Sequence, residues 1–242
     1  MSESAVPGDF SASENSNLDY WLKAWKENRI GFHRSDVSYL FKTYLIPKLL
    51  TATEQKCVVF PLCGKSVDMM AALDAGHRVI GIEGGVAPVE AFFSENKIAY
   101  EIEKDANNQC EIYKGVDRPV TIYRADFFAF NKDLPPVDYI WDRGGLVAVT
   151  PTTREQYRDC LRRMMTPGRT ELFLVAIVYE DPTFSGPPHV LNNDHINELF
   201  GSDSSIEFVI KQDETKEFNA RFINRSIQHI EEHLYSIIRK QN

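Results

Sequence analysis

The stretch Val58-Val59-Phe60-Pro61-Leu62-Cys63-Gly64-Lys65-Ser66, continued by Val79-Ile80-Gly81-Ile82-Glu83, decides the fold. An apolar run of strand type ends at a glycine turn. A helix-like segment follows over 65–75, and a second apolar run stops at an acid. Strand, glycine turn, helix, strand, acid is half of a nucleoside-binding α/β unit, whose terminal acid accepts hydrogen bonds from ribose hydroxyls. Glu83 is therefore a candidate ribose ligand, with a solvated strand-end carboxylate as the plain alternative. Dinucleotide folds carry G-x-G-x-x-G, because a pyrophosphate must approach the helix N-terminus closely. Here Gly64 stands alone in the turn and the charged Lys65 follows it. That favours a cofactor without phosphate. S-adenosylmethionine, an adenosine with a methionine tail, fits, and an ordinary strand–helix turn is the alternative.

The chain has 242 residues, enough for one α/β domain with a substantial core. A net charge of −8 argues against a general nucleic-acid binder, whose field should be positive. No apolar run approaches the roughly 20 residues of a membrane helix, and no signal peptide is read at the N-terminus. Cys57, Cys63, Cys110 and Cys160 lack metal-type spacing and read as free thiols in a reducing, cytoplasmic compartment. Asn224-Arg225-Ser226 fits the glycosylation pattern but has no meaning there.

Residues 1–16, rich in Ser, Glu and Asn, read as a disordered tail, and 17–242 as one domain. A helix is expected from Leu18, with Trp21, Trp25 and Arg29 four apart on one face. A second is expected from Ser35 or Asp36 to Leu50. Strands are expected near 57–61, 79–82, 120–123, 137–141 and 171–178, and helices near 65–75, 86–96 and 152–165. Thr152 and Glu155 offer the last helix a capping box. The near-continuous apolar run Phe173–Val178 suits a sheet covered on both faces. Residues 99–118 read as an inserted hairpin around Asp105-Ala106-Asn107-Asn108. Residues 206–211 alternate as a strand, whereas 226–238 fit helix and strand equally.

Three further groups stand out. Trp21, Trp25 and Phe32 can cover a cofactor, exclude water and attract a sulfonium by roughly 0.5–2 kcal/mol; an amphipathic helix packed on the core is the alternative. Asp142-Arg143 ends a strand where ligands bind in open α/β sheets, so Arg143 would face the reaction centre; the alternative is a pair that satisfies the turn. His229-Ile230-Glu231-Glu232-His233 matches the inverted zinc-protease pattern, but it lies close to the chain end with little room for a further ligand. No metal is expected.

Together these residues resemble the thiopurine S-methyltransferase family. The resemblance is carried by Trp21-x-x-x-Trp25 with Ile30-Gly31-Phe32-His33, Pro61-Leu62-Cys63-Gly64-Lys65, Gly81-Ile82-Glu83, Asp126-Phe127-Phe128, Trp141-Asp142-Arg143-Gly144, and Tyr179-Glu180-Asp181-Pro182 leading to Gly186-Pro187-Pro188. It implies a seven-stranded, mostly parallel Rossmann-like methyltransferase sheet with helices on both faces, an antiparallel last strand at its end, and an N-terminal helical lid. It implies S-adenosylmethionine as cofactor, bound by Trp21, Trp25, Phe32, Leu62, Gly64, Glu83, Asp126, Phe127 and Arg143. Phe32, Arg143, Pro187 and Arg221 would meet the acceptor. The implied last strand makes 227–238 extended, which puts His229 and His233 about 13 Å apart, too far for one zinc. The chain departs from the family pattern at Gly84-Gly85 and around Arg221, and the loop 180–193 is where family members diverge.

The reaction implied is methyl transfer to the sulfur of an aromatic or heterocyclic thiol such as a thiopurine. Arg143 and Arg221 would stabilise the thiolate, and Asp19 is a candidate proton acceptor. The expected partner is a small-molecule thiol, with no nucleic acid and no membrane, and the expected form a monomer. Three rival readings stand beside this one: a methyltransferase for small thiols, halides, thiocyanate or selenium and tellurium species; a non-catalytic cofactor-binding module; and a nicotinamide oxidoreductase, disfavoured by the missing glycines.

Overall fold

A computed structural model describes residues 18–105, 110–181, 184, 186–221 and 227–241. The tail, the tip of the expected hairpin and the Asn224 sequon lie outside them. The strands are β1 (Cys57–Pro61), β2 (Arg78–Glu83), β3 (Tyr100–Lys104), β4 (Glu111–Gly115), β5 (Val120–Arg124), β6 (Tyr139–Arg143), β7 (Glu171–Tyr179), β8 (Ser204–Asp213) and β9 (Ile230–Arg239). The helices are α1 (Leu18–Lys26), α2 (Ile46–Leu50), α3 (Val67–Asp74), α4 (Val86–Glu95), α5 (Arg154–Met164), α6 (Asn193–Phe200) and α7 (Thr215–Arg221). One sheet runs β3-β4-β5-β2-β1-β6-β7-β9-β8.

The pairs β5-β2, β2-β1, β1-β6 and β6-β7 are parallel, and the strands at both flanks are antiparallel. The sheet thus has nine strands rather than seven, because the inserted hairpin β3–β4 joins it beside β5. The last strand, β9, is antiparallel as expected but is not at the end. It lies between β7 and β8, and β8 forms the edge.

Alternation along the central strands builds two cores. On β1, Val59 points to the layer holding Tyr157 and Leu161 of α5, while Val58 and Phe60 point to that of Met69 of α3 and Phe92 of α4. Both faces are covered, which is why these strands are apolar at every position.

Local departures have local causes. The second helix starts late, since the Ser38 N–H is given to the buried Asp68 carboxylate at 2.8 Å. It then opens into a wide turn over Phe41–Leu45 just before Pro47, which has no N–H for an unbroken α ladder. The capping box at Thr152 does not form. Residues Pro151–Thr153 make a 3₁₀ turn, and the Thr152 hydroxyl lies 3.0 Å from that of Thr150. Strand β6 begins two residues later than expected, so Asp142 and Arg143 belong to the strand and face opposite sides of it. Arg29 falls beyond the end of α1 and rests on the Tyr20 ring.

The 226–238 ambiguity resolves to a strand that pairs with β7 over nine positions, Glu171 with Ile238 through Tyr179 with Ile230. His229 precedes it, and both histidines turn to Glu231, at 3.3 and 2.8 Å. No cluster of three metal-ligating side chains occurs among the described residues.

Candidate active site

Strand order reverses between β1 and β6, and the ends of β1, β2, β5 and β6 open there into one cavity. Leu62 and Gly64 both take left-handed backbone, with φ of 45° and 52°. A side chain on Gly64 would also stand 3.1 Å from the Trp25 ring, so glycine lets the indole close over the turn. The Gly64 N–H donates to one Glu83 oxygen at 2.9 Å, and the Gly85 N–H donates to the other at 2.8 Å. The carboxylate is therefore buried and aimed across the strand ends rather than solvated. Burial pushes its pKa up against the backbone N–H groups of Gly85, Gly64 and Gly84. Each oxygen keeps a lone pair for a ribose hydroxyl. Gly84 has a second use, since a side chain there would collide with Leu18 of the lid helix.

Past β5, Asp126 is buried and accepts the Phe128 N–H at 3.0 Å. Phe127 packs against Tyr157 with the rings tilted by 34° and their centres 4.8 Å apart. Above the cavity, Trp21 and Trp25 meet Phe32 edge-on at 5.2 and 5.5 Å. A backbone cradle that a Cβ would fill, a strand-end carboxylate with open lone pairs and an aromatic cover fit an adenosyl sulfonium.

A second cavity of about 640 Å³ lies behind this one, within the usual range for small-molecule sites. Trp21, Phe32, Arg143, Gly144 and Ala148 line both. Pro187 and Arg221 line the second cavity, so the expected acceptor residues converge there. Asp19 is exposed in the first turn of α1 and lines neither cavity.

Sequence reasoning missed Arg34, Asp68, Glu214 and Glu232. Glu232 accepts from Arg143 at 2.9 Å and from Arg34 at 3.0 Å. Burial opposes its charge, but the two guanidiniums outweigh burial and hold its pKa down. Glu214 bonds Arg34, and Arg221 lies 3.9 Å away. Asp68 accepts the Trp141 indole N–H at 3.0 Å and lines the cofactor-side cavity. One signal was available for Glu232. On a strand it shares the inward face of Ile230 and Leu234, where a carboxylate needs a partner.

His33 also lines the first cavity, and burial, then Lys65, keeps it below its ordinary pKa. All four cysteines are buried free thiols. Burial pushes Cys57 and Cys110 to about 11, and Cys63 and Cys160 are raised as well, so none offers a thiolate to a methyl donor.

Asp142 is fully buried, and its Oδ1 accepts the N–H groups of Gly145 and Leu146 at 3.0 and 3.2 Å. It thereby shapes the loop between the cavities. Burial pushes its pKa to about 6. The folded value exceeds the unfolded one of about 3.9, so the native state holds the proton more tightly. Its contribution to stability is full below pH ~4 and is lost as pH rises through ~6. Asp142→Asn should remove this decline, up to about 3 kcal/mol relative to the wild type. Denaturant melts between pH 4 and 7 measure it, and parallel profiles for the two proteins would refute the assignment.

The family model for thiopurine S-methyltransferase matches residues 16–240. The chain belongs to the thiopurine S-methyltransferase family. A Bos taurus thiopurine S-methyltransferase is 32% identical over 226 residues, covering 92% of this chain and 90% of the bovine one. A Shewanella pealeana thiopurine S-methyltransferase is 32% identical, covering 91% and 98%. The fold is that of solved methyltransferases. A Burkholderia thailandensis 1,6-didemethyltoxoflavin-N1-methyltransferase, solved with S-adenosylhomocysteine, superposes with a TM-score of 0.58 at 13% identity, covering 96% and 94%. As a family member, the chain is an S-adenosylmethionine-dependent methyltransferase acting on sulfur.

Proposed function

We propose that this enzyme methylates the sulfur of aromatic or heterocyclic thiols, thiopurines among them. The observation that carries the reading is the shared wall, with Phe32 and Arg143 lining both the cofactor-side cavity and the one behind it. S-adenosylmethionine, when bound, supplies an electrophilic sulfonium methyl. Glu83 binds the ribose diol, with Leu62 and Gly64 closing the turn beside it. Asp126 and Phe127 hold the adenine end. Trp21, Trp25 and Phe32 exclude water, and their faces favour a cation. On the other side, Phe32, Pro187 and Phe218 offer apolar surface to a flat ring. Arg143 and Arg221 hold the acceptor as its thiolate. Aromatic thiols ionise readily, so alignment is the chief task left to the protein, and no dedicated base is required. The names of the bovine and bacterial relatives support this acceptor class.

A guanidinium-lined cavity would also hold a small anion, which favours halide, thiocyanate or hydrosulfide as a second reading. Rates on an aromatic thiol, iodide and hydrogen sulfide separate the two. The thiol should be methylated with the highest kcat/KM, and a faster reaction on iodide or sulfide would overturn the proposal. Cofactor binding without turnover on any of them would mark a non-catalytic module. We further infer that residues 17–242 act as one unit, a cytoplasmic monomer with a small-molecule partner. The supports are the single sheet, the four free thiols, the charge of −8, and the absence among the described residues of a helix able to cross a membrane.

A further inference from the structure

Among the described residues, Asp36, Asp68, Glu83 and Asp126 are the carboxylates that line the cofactor-side cavity. Glu83 and Asp126, at the ends of β2 and β5, are placed at the ribose and the adenine. Asp36 is exposed. Asp68 comes from another side, the first turn of α3, and is 3% exposed. Its Oδ1 accepts the Ser38 N–H at 2.8 Å and its Oδ2 accepts the Trp141 indole N–H at 3.0 Å, so both of its donors are neutral. Arg143 and Arg34 pull its pKa down from a distance, but their hydrogen bonds go to Glu232 and Glu214. Burial outweighs that pull and pushes the pKa up. Each oxygen keeps a lone pair. Ser38 lines the same cavity at 1% exposure, and its hydroxyl is buried without a hydrogen-bond partner.

A buried carboxylate bonded only to neutral donors is costly until a cation reaches it, and a buried hydroxyl nearly always finds a partner. Because the Ser38 backbone is itself bonded to Asp68, the carboxylate and the orphaned hydroxyl belong to one patch of the wall. An anion beside a neutral oxygen suits a small cation with several N–H donors and repels a carboxylate. With the ribose at Glu83, the adenine at Asp126 and Phe127, and the sulfonium at the wall of Phe32 and Arg143, the methionine tail of the cofactor is left the part lined by Ser38 and residues 66–68. We propose that Asp68 and the Ser38 hydroxyl bind the α-ammonium group of that tail. The tail is thereby fixed by its cationic end, which also sets the direction in which the sulfonium points. The inference rests on the proposed placement of the cofactor and adds to it the residues that hold its amino-acid end.

The test is calorimetry on the whole protein with S-adenosylhomocysteine and with its deamino analogue, in which hydrogen replaces the α-ammonium. Wild type should bind S-adenosylhomocysteine about 100-fold more tightly. Ser38→Ala should weaken S-adenosylhomocysteine about tenfold and leave the analogue within about twofold. Without ligand it should melt no lower than wild type, because the hydroxyl removed had no partner, and this separates binding from a structural role. Asp68→Asn should bring the two ligands within about fivefold of each other, even if the loss of an acceptor for Trp141 lowers its melting temperature. A wild type that binds both ligands alike, a Ser38→Ala variant that weakens both equally or neither, or an Asp68→Asn variant that keeps the full preference would overturn the inference. Glu83→Ala is measured alongside and should weaken both ligands. If it does while Ser38→Ala changes nothing, this inference alone fails. If Glu83→Ala changes nothing while Ser38→Ala is selective, the ribose placement alone fails.

Discussion

Arg143→Ala is expected to lower kcat/KM for an aromatic thiol by about 100-fold, or ~2.7 kcal/mol. Arg143 is the one charged side chain among the described residues that lines both cavities. Its guanidinium is oriented by Glu232 at 2.9 Å, so it meets an incoming thiolate in a fixed pose. The acceptor sulfur loses its negative charge as it reacts, so a guanidinium does not bind the transition state more tightly than the thiolate. The loss should therefore fall mainly on KM and on the fraction of acceptor bound as thiolate, with a smaller fall in kcat. Stability should also drop, by about 2–3 kcal/mol, because Glu232 loses one of the two guanidinium contacts given to it, that of Arg143, and keeps that of Arg34. Initial rates over a range of thiol concentrations, with melts of the same samples, give both numbers. Full activity in the variant would remove Arg143 from the acceptor site.

Glu83→Ala should weaken cofactor binding by about 100-fold or more. Two ribose hydrogen bonds to a carboxylate, at roughly 1.5–3 kcal/mol each, would be lost. The N–H groups of Gly64 and Gly85 would lose their acceptor as well, loosening the turn under Trp25. Glu83→Gln keeps one carbonyl oxygen and should fall between the two. Calorimetry with S-adenosylhomocysteine reads the effect directly, and an unchanged Kd in the alanine variant would end the ribose assignment.

These variants probe parts of the site that differ in how legible they were. Glu83 and Gly64 stand out because strand, turn, helix and strand follow one another within 27 residues, so local chain geometry alone places them together. Trp21, Trp25 and Phe32 are also close in sequence and meet as three edge-on rings. Arg34 and Glu232 are different. They are 198 residues apart, and nothing in the sequence around either one pairs it with the other. Asp19 shows the reverse, an acid close in sequence to the aromatic cover that lines neither cavity.

The residues by themselves determined the parallel core, because strands buried on both faces must be apolar throughout, and a run such as Phe173–Val178 has few other uses. They also determined the half-site around Glu83 and the aromatic cover. Periodicity did not decide the strand at 230–239, which the family resemblance implied, because Ile230, Leu234 and Ile238 suit both periods; only the tertiary structure supplies its physical reason, the open flank of β7 that requires a partner. It likewise decided that Arg34, Arg143, Arg221, Glu214 and Glu232 form one centre. A charge becomes a buried partner only when distant segments fold over it and exclude water, and no local pattern records that event.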